Sequence, residues 1–180
     1  EVVSMQSAPY LFRHAPAAMA SYRSLLAPVR RVFWRVSVLI ALVIPAWAEP
    51  LLITGPHGEF SFNQEDILAL SDQEVVTETP WTDGSLTFRG APLAAVLAEA
   101  GIEQGWVNAR GLNNYSINLT VDQVLAAHAF LAVHMNGELM RIKDKGPFWI
   151  VFPWSEHPDL LTRDVRAWSV WQLQALSVLD

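Results

Sequence analysis

Short apolar runs alternate with turn signals along residues 49–180, a pattern that predicts many short strands and few helices. Leu51 to Thr54 is predicted as a strand that ends at Gly55-Pro56, and Val75 to Thr79 as a strand that runs into Pro80. Further strands are predicted at Leu86–Phe88, Phe148–Phe152 and Ser169–Val178. Because the connections are short, we expect most neighbouring strands to pair antiparallel.

Capping signals predict three short helices. Asn63 suits the N-cap of the first, and the second spans Pro92–Ala100, because proline is favoured in the first turn of a helix. Thr120 and Gln123 form a capping box at the start of the third helix. A hairpin is predicted where Asn136-Gly137 separates two strands. With about eight or nine strands in all, the expected fold is a single α+β, mostly-β domain with mixed sheets and three short helices.

The first 48 residues carry a different pattern. Residues 19–48 are predicted to be a secretory signal peptide, because arginines precede the apolar run Val36–Ile44 and small residues flank Trp47 before the expected cleavage point. A transmembrane anchor is the alternative, but the apolar run is about half of the roughly 20 residues that a span needs. We therefore expect residues 1–18 to be unstructured upstream sequence and residues 49–180 to form a periplasmic domain without stable membrane insertion.

Composition excludes several partners and chemistries. Residues 49–180 hold seven Lys and Arg against 17 Asp and Glu, and so acidic a surface repels nucleic acid and anionic lipid. The chain has no cysteine, which excludes thiolate chemistry and disulfide bonds. The histidines lack metal-ligand spacing, and no nucleophile elbow, phosphate loop or dinucleotide fingerprint is present. The sequence therefore assigns no catalytic and no metal-ligating residue.

Two segments carry residue types that suit a flat heterocycle. Trp81 could stack on a ring while Asp83 accepts hydrogen bonds from ring N–H groups. Asn114 and Tyr115 offer amide and phenol groups between two strands. The alternatives are a β-turn with Trp81 folded onto the core and an Asn-rich turn without a ligand.

A third segment, Lys143 to Pro147, is the densest basic cluster of this acidic domain, and Arg141 lies just before it. The ammonium groups of Lys143 and Lys145 could meet an acceptor or an anion, but a solvated loop is equally compatible with the pattern. Four tryptophans crowd the last third of the chain: Trp149, Trp154, Trp168 and Trp171. Core packing is their expected role, and a packed indole can also shape a pocket.

These segments match a known family in their order along the chain. They are Thr79-Pro80-Trp81-Thr82-Asp83-Gly84, Phe88-Arg89-Gly90-Ala91-Pro92-Leu93, Asn113-Asn114-Tyr115, Asn136-Gly137-Glu138-Leu139-Met140, the run from Lys143 to Pro153, and Val170-Trp171-Gln172-Leu173. The pattern resembles the oxidoreductase molybdopterin-binding domain, the sulfite-oxidase-like fold. It is most similar to the short, exported, cysteine-free branch, described as periplasmic pterin-binding proteins, some of which work with a membrane-bound regulator that makes and degrades cyclic di-GMP.

The resemblance implies a pterin slot and argues against molybdenum. In the enzymes, a cysteine near the segment matched by Thr79 to Asp83 ligates the metal, and no residue of this neighbourhood supplies a soft thiolate. The implied slot residues are Trp81, Asp83, Asn114, Tyr115, Lys143 or Lys145, and Trp171. The resemblance implies stacking for Trp81 and Tyr115, contacts to the pyrimidine edge for Asp83 and Asn114, and a lysine on the ring carbonyl or side chain.

Three functions follow from this resemblance. The first is a non-catalytic protein that binds a neopterin- or molybdopterin-like pterin and reports it to the periplasmic domain of a membrane-bound signalling protein. The second is a molybdopterin-dependent oxidoreductase with a metal site that lacks cysteine. The third is a ligand-free interaction scaffold whose slot is filled by tryptophans, since a fold alone does not determine function. Whether the protein is an enzyme stays open at this point.

Overall fold

The computed structural model describes residues 49–179, so the predicted segments 1–18 and 19–48 lie outside the described residues. Ten strands are present in this range. In chain order they are β1 (Leu51–Gly55), β2 (Gly58–Phe62), β3 (Gln73–Glu78), β4 (Ser85–Pro92), β5 (Trp106–Gly111), β6 (Ser116–Thr120), β7 (Phe130–Met135), β8 (Glu138–Leu139), β9 (Trp149–Val151) and β10 (Leu173–Leu179).

The strands form two five-stranded sheets. The first has the order β2-β1-β10-β5-β6, and the second has the order β3-β4-β7-β8, with β9 also paired to β7. The pair β1 and β10 is parallel, with Ile53 opposite Leu176, while the other pairs are antiparallel. The antiparallel hairpins follow from short connections, whereas β1 and β10 come from opposite ends of the domain and can pair in parallel.

Four α-helices connect the strands: α1 (Gln64–Leu70), α2 (Leu93–Glu99), α3 (Val121–Ala126) and α4 (Arg163–Trp168). The predicted caps of the first and third helices are confirmed, because Asn63 accepts hydrogen bonds from the first turn of α1 and Thr120 forms a capping box with Gln123. The hairpin at Asn136-Gly137 is also confirmed, with both residues at positive φ. No helix of residues 49–179 is long and apolar enough to cross a membrane.

The mostly-β α+β fold class with mixed sheets is confirmed, but two details of the prediction were wrong. The helix count is four, because α4 was missed: it buries only Val165 and therefore shows little apolar periodicity. The closing strand begins at Leu173 and not at Ser169, because Ser169 ends α4 and Gln172 has a left-handed φ of 49°. Neither conformation is compatible with a regular strand.

Two groups of buried side chains form the core. The larger draws on both sheets and the helices: it includes Ile53 and Leu176 of the first sheet, Leu131 of the second sheet and Leu97 of α2. The smaller surrounds the fully buried indole of Trp149, whose ring packs edge-on against Phe88 with the centroids 5.3 Å apart. Trp81 packs against both groups, so the connection between β3 and β4 is anchored where they meet.

Candidate functional site

A cavity of about 180 Å³ lies where three distant parts of the chain meet: the β3–β4 connection, the β5–β6 turn, and the segment from α4 to β10. It is lined by Trp81, Asn113, Tyr115, Arg166, Ser169, Val170 and Trp171. An apolar cavity of roughly 150 Å³ accepts a benzene molecule. The cavity can therefore accept an aromatic ring, with further atoms of the ligand extending towards the open side.

The aromatic wall is built from indoles that hold one another. The ring centroid of Trp81 lies 5.4 Å from that of Trp171 and 5.8 Å from that of Trp154, both in edge-to-face geometry. Trp81 also makes a tilted contact to Trp149 at 6.3 Å. Such aromatic pairs contribute about 0.5–1.5 kcal/mol each beyond the burial of their area. The wall is therefore ordered before any ligand arrives.

The loop that carries Trp81 is fixed by two threonines. The hydroxyl oxygens of Thr79 and Thr82 lie 2.8 Å apart in a hydrogen bond, and the backbone N–H of Trp81 donates to Thr79 Oγ1 at 3.2 Å. Thr79 is buried, while Trp81 is half-buried. Local hydrogen bonds of this kind hold a turn in place, and they present the indole to the cavity.

Ser169 connects the cavity to the buried core. Its hydroxyl accepts a hydrogen bond from Trp149 Nε1 at 2.9 Å and donates one to the carbonyl oxygen of Ile150 at 2.7 Å. A serine hydroxyl has one hydrogen to donate and two lone pairs. The hydrogen is therefore committed to the protein, and only one lone pair is left for a ligand.

The β5–β6 turn supplies a phenol and an amide. Tyr115 donates its hydroxyl hydrogen to the carbonyl oxygen of Ala167 at 2.8 Å, which ties the turn to the end of α4. The backbone N–H of Tyr115 donates to Asn113 Oδ1 at 3.0 Å. Asn114 takes the left-handed corner of the turn, with φ of 62°, and is exposed. Asn113 therefore lines the cavity in the place predicted for Asn114.

A glycine allows this turn to approach the cavity wall. A Cβ atom on Gly111 would lie 3.1 Å from the carbonyl oxygen of Trp171 and 3.2 Å from Asn113 Oδ1. These distances are shorter than ordinary van der Waals contacts, and one of them involves backbone. Position 111 must therefore be glycine for Asn113 and Trp171 to line the same cavity.

The basic cluster lies beside the cavity and not in its lining. The ammonium nitrogen of Lys145 lies over the Trp171 ring, 4.7 Å from the centroid, while Lys143 is exposed. Asp83 is also exposed and does not line the cavity. Of the predicted slot residues, the structure brings together Trp81, Tyr115 and Trp171 as cavity walls, with Lys145 in contact with one of them.

Sequence reasoning missed four residues of the lining: Asn113, Arg166, Ser169 and Val170. Asn113 belongs to the predicted Asn113-Asn114-Tyr115 segment, but the sequence assigns the ring contact to its neighbour Asn114. Arg166 lies on α4, and Ser169 and Val170 lie at the start of the predicted strand Ser169–Val178, which is not a strand before Leu173. Thr162 as a candidate N-cap, followed by Asp164 in the first turn, is the local sequence signal for this helix, and the structure shows Val165 N–H donating to Thr162 Oγ1.

The side chains at the cavity do not fit a molybdenum centre. They offer hydroxyl, amide, guanidinium and indole groups, and no residue of the chain offers a thiolate. Within residues 49–179, no group of three or more His, Asp or Glu side chains is arranged to hold a metal ion. The aromatic wall and the polar groups do fit the flat ring of a pterin, with its heteroatoms at the edge.

Comparison with protein families agrees with this geometry. Residues 63–156, just over half of the 180-residue chain, match the oxidoreductase molybdopterin binding domain. The matched segment carries Trp81, Asn113 and Tyr115, whereas the lining residues from Arg166 onward lie beyond its end. The search of curated proteins found no match. The chain thus belongs to the oxidoreductase molybdopterin-binding domain family, whose fold is sulfite-oxidase-like.

Proposed function

We propose that this protein is a non-catalytic pterin-binding protein, exported to the periplasm, that reports pterin to a membrane-bound regulator of cyclic di-GMP. The observation that carries the proposal is the cavity itself. It has ordered aromatic walls and a polar edge, and it belongs to a molybdopterin-binding domain whose chain lacks cysteine. These features support binding of the ring without the metal chemistry.

The pterin ring would stack against the wall of Trp81, Tyr115 and Trp171. The ring edge would meet the remaining lone pairs of Asn113 Oδ1 and Ser169 Oγ. This arrangement differs from the one expected from sequence, in which Asp83 accepted hydrogen bonds from the ring. Aromatic side chains bind flat rings at low entropic cost when they are already ordered.

Exposed apolar residues beside the cavity support a role in signalling. Leu112 and Ile142 are 46% and 50% exposed, and Gln172 connects them. The N–H of Leu112 donates to the carbonyl oxygen of Gln172, whose side-chain amide donates to the carbonyl oxygen of Ile142. A partner that contacts this surface would lie next to the cavity-lining residues Asn113 and Trp171, and a ligand signals when the partner distinguishes the two states.

Calorimetry with the purified protein tests the binding function. Oxidised and reduced neopterin should both be titrated, because the sequence does not select between them. A base stacked on an aromatic side chain contributes about 1–3 kcal/mol, so Trp81→Ala should weaken binding about tenfold or more. Trp81→Phe keeps an aromatic ring at this position, so it should keep part of the affinity. It is the second variant to test if Trp81→Ala does not fold.

Trp106→Ala is the matched control, because Trp106 lies on β5, is 51% exposed and does not line the cavity. This variant should bind pterin as the parent protein does. Absence of binding heat with every pterin, in protein shown to be folded by circular dichroism, would overturn the proposal. Equal affinities of Trp81→Ala and the parent would show that the ring binds elsewhere.

A ligand-free scaffold is the second candidate, favoured by the contacts among the indoles. Trp81 packs on three other tryptophans and against both core groups, so much of its ring already has protein partners. Mass spectrometry of the protein purified from its own compartment separates the candidates. A co-purified pterin supports the sensor, and its absence together with silent calorimetry supports the scaffold. Stoichiometric molybdenum in the same sample would support an oxidoreductase and contradict both.

A further inference from the structure

Arg166 brings a positive charge to the cavity. It lies in the last turn of α4, and its Nε donates to the carbonyl oxygen of Thr162 at 3.2 Å, which restrains the guanidinium. The ion pairs found in residues 49–179 join Arg89 to Asp72 and Arg141 to Asp144, so Arg166 has no carboxylate partner in this range. Its terminal N–H groups are available to a ligand.

The other polar groups of the lining are mostly committed to the protein. The hydroxyl hydrogens of Tyr115 and Ser169 are donated to the backbone, and Asn113 Oδ1 accepts from the backbone N–H of Tyr115. Among residues 49–179 the Asn113 side chain hydrogen-bonds only through Oδ1, which leaves its amide Nδ2 without a protein partner. The cavity therefore presents free donors from Arg166 and Asn113, but only leftover lone pairs as acceptors and no carboxylate.

These free donors and the lack of a carboxylate in the lining favour an anionic ligand. We infer that the cavity binds a heteroaromatic carboxylate, with the ring against the indoles and the carboxylate on Arg166 and Asn113. The guanidinium fork matches a planar carboxylate and can form two parallel hydrogen bonds. A neutral ring that presents mainly N–H donors finds few partners here. The inference deepens the proposed function and rests on it for the pterin ring.

Two pterins that differ only at one substituent test the inference. Pterin-6-carboxylate and 6-hydroxymethylpterin share the ring, so calorimetry with each isolates the contribution of the anion. The carboxylate should bind about tenfold or more tightly, because a hydrogen bond between charged groups is stronger than one between neutral groups. Arg166→Gln should reduce this preference to less than about twofold.

The variants include internal controls. Arg166→Lys keeps the charge but loses the planar fork, so it should keep part of the preference. Arg163 is an exposed arginine of the same helix that does not line the cavity. Arg163→Gln should therefore keep the full preference for the carboxylate. Equal binding of the two pterins to the parent protein, or an unchanged preference in Arg166→Gln, would overturn the inference while leaving the pterin-binding function intact.

A second ligand pair separates failure of the inference from failure of the proposed function. Quinoline-2-carboxylate and 2-hydroxymethylquinoline are flat two-ring molecules without the pterin edge. If neither pterin binds but the quinoline acid binds in an Arg166-dependent way, the acid inference stands and the pterin function falls. If none of the four molecules binds to folded protein, both are overturned.

Discussion

The ammonium nitrogen of Lys145 lies 4.7 Å from the centroid of the Trp171 indole, and the carbonyl oxygen of Lys145 accepts a hydrogen bond from Gln172 N–H at 2.8 Å. The residue is therefore joined to the cavity wall through both its side chain and its backbone. Lys145 has a left-handed φ of 67°, which is uncommon for a residue with a long side chain. The two contacts offset this conformational cost and make Lys145 a positioning residue for Trp171.

Lys145→Gln should lower the free energy of unfolding by about 0.5–1 kcal/mol, because it removes the cation from the indole face. The backbone contact to Gln172 stays, so the fold should persist. Lys143→Gln is the matched control, since Lys143 is exposed, and it should change the free energy by no more than about 0.5 kcal/mol. Urea denaturation followed by tryptophan fluorescence measures both. Equal effects of the two variants would show that Lys145 does not stabilise the wall.

Gln64 is a buried polar residue that joins distant backbone segments. Its side-chain amide nitrogen donates to the carbonyl oxygens of Met140 at 3.0 Å and Pro147 at 2.9 Å, with a longer contact to that of Val133 at 3.3 Å. The amide thereby joins the hairpin of β7 and β8 to the last residue of the basic cluster, Pro147.

We expect Gln64→Ala to lower the free energy of unfolding by about 2–3 kcal/mol, because buried carbonyl groups lose their donor. Gln123→Ala is the comparison, because Gln123 caps α3 at a partly exposed position. This variant should lower the free energy of unfolding by only about 1 kcal/mol. Urea titrations of both variants give the difference directly. A smaller loss for Gln64→Ala than for Gln123→Ala would mean that the network is not important for stability.

His134 makes stability depend on pH. Burial lowers the pKa of His134 below the ordinary value of 6.5, and the charge of Arg89 adds to the effect. Nδ1 of His134 is buried and has no hydrogen-bond partner among residues 49–179. The unfolded chain therefore takes up a proton near pH 6.5 that the folded chain takes up only at lower pH. The contribution of His134 to the free energy of unfolding is therefore fully present above about pH 6.5, and it is lost as the pH is lowered towards the pKa of His134 in the folded protein.

We expect His134→Gln to remove this component. Between about pH 7.5 and about pH 5.5 the parent protein should lose more stability than the variant does. Asp72 does not interfere, because its hydrogen bond to Arg89 lowers its pKa from 3.8 and its contribution disappears only in stronger acid. Urea denaturation at the two pH values measures the effect, with His57→Gln as a control at an exposed histidine. Parallel pH profiles of parent and His134→Gln would contradict the assignment.

The sequence was sufficient where neighbouring residues decide the conformation. The cap at Asn63, the capping box of Thr120 and the turn at Asn136-Gly137 each depend on side chains within a few positions, and the structure confirms all three. The helix α4 was missed because its burial comes from tertiary contacts that leave almost no apolar period in the sequence. For the same reason the predicted start of the last strand at Ser169 is four residues before the observed start at Leu173.

The sequence by itself also determined the family and the lack of a thiolate ligand, because both depend on which residues are present and in what order. Only the tertiary structure decided which side chains share the cavity. Trp81, Asn113 and Arg166 lie far apart along the chain, and they meet because the sheets and α4 bring their loops together. Local patterns carry no information about such distant contacts, since these arise from the packing of whole elements.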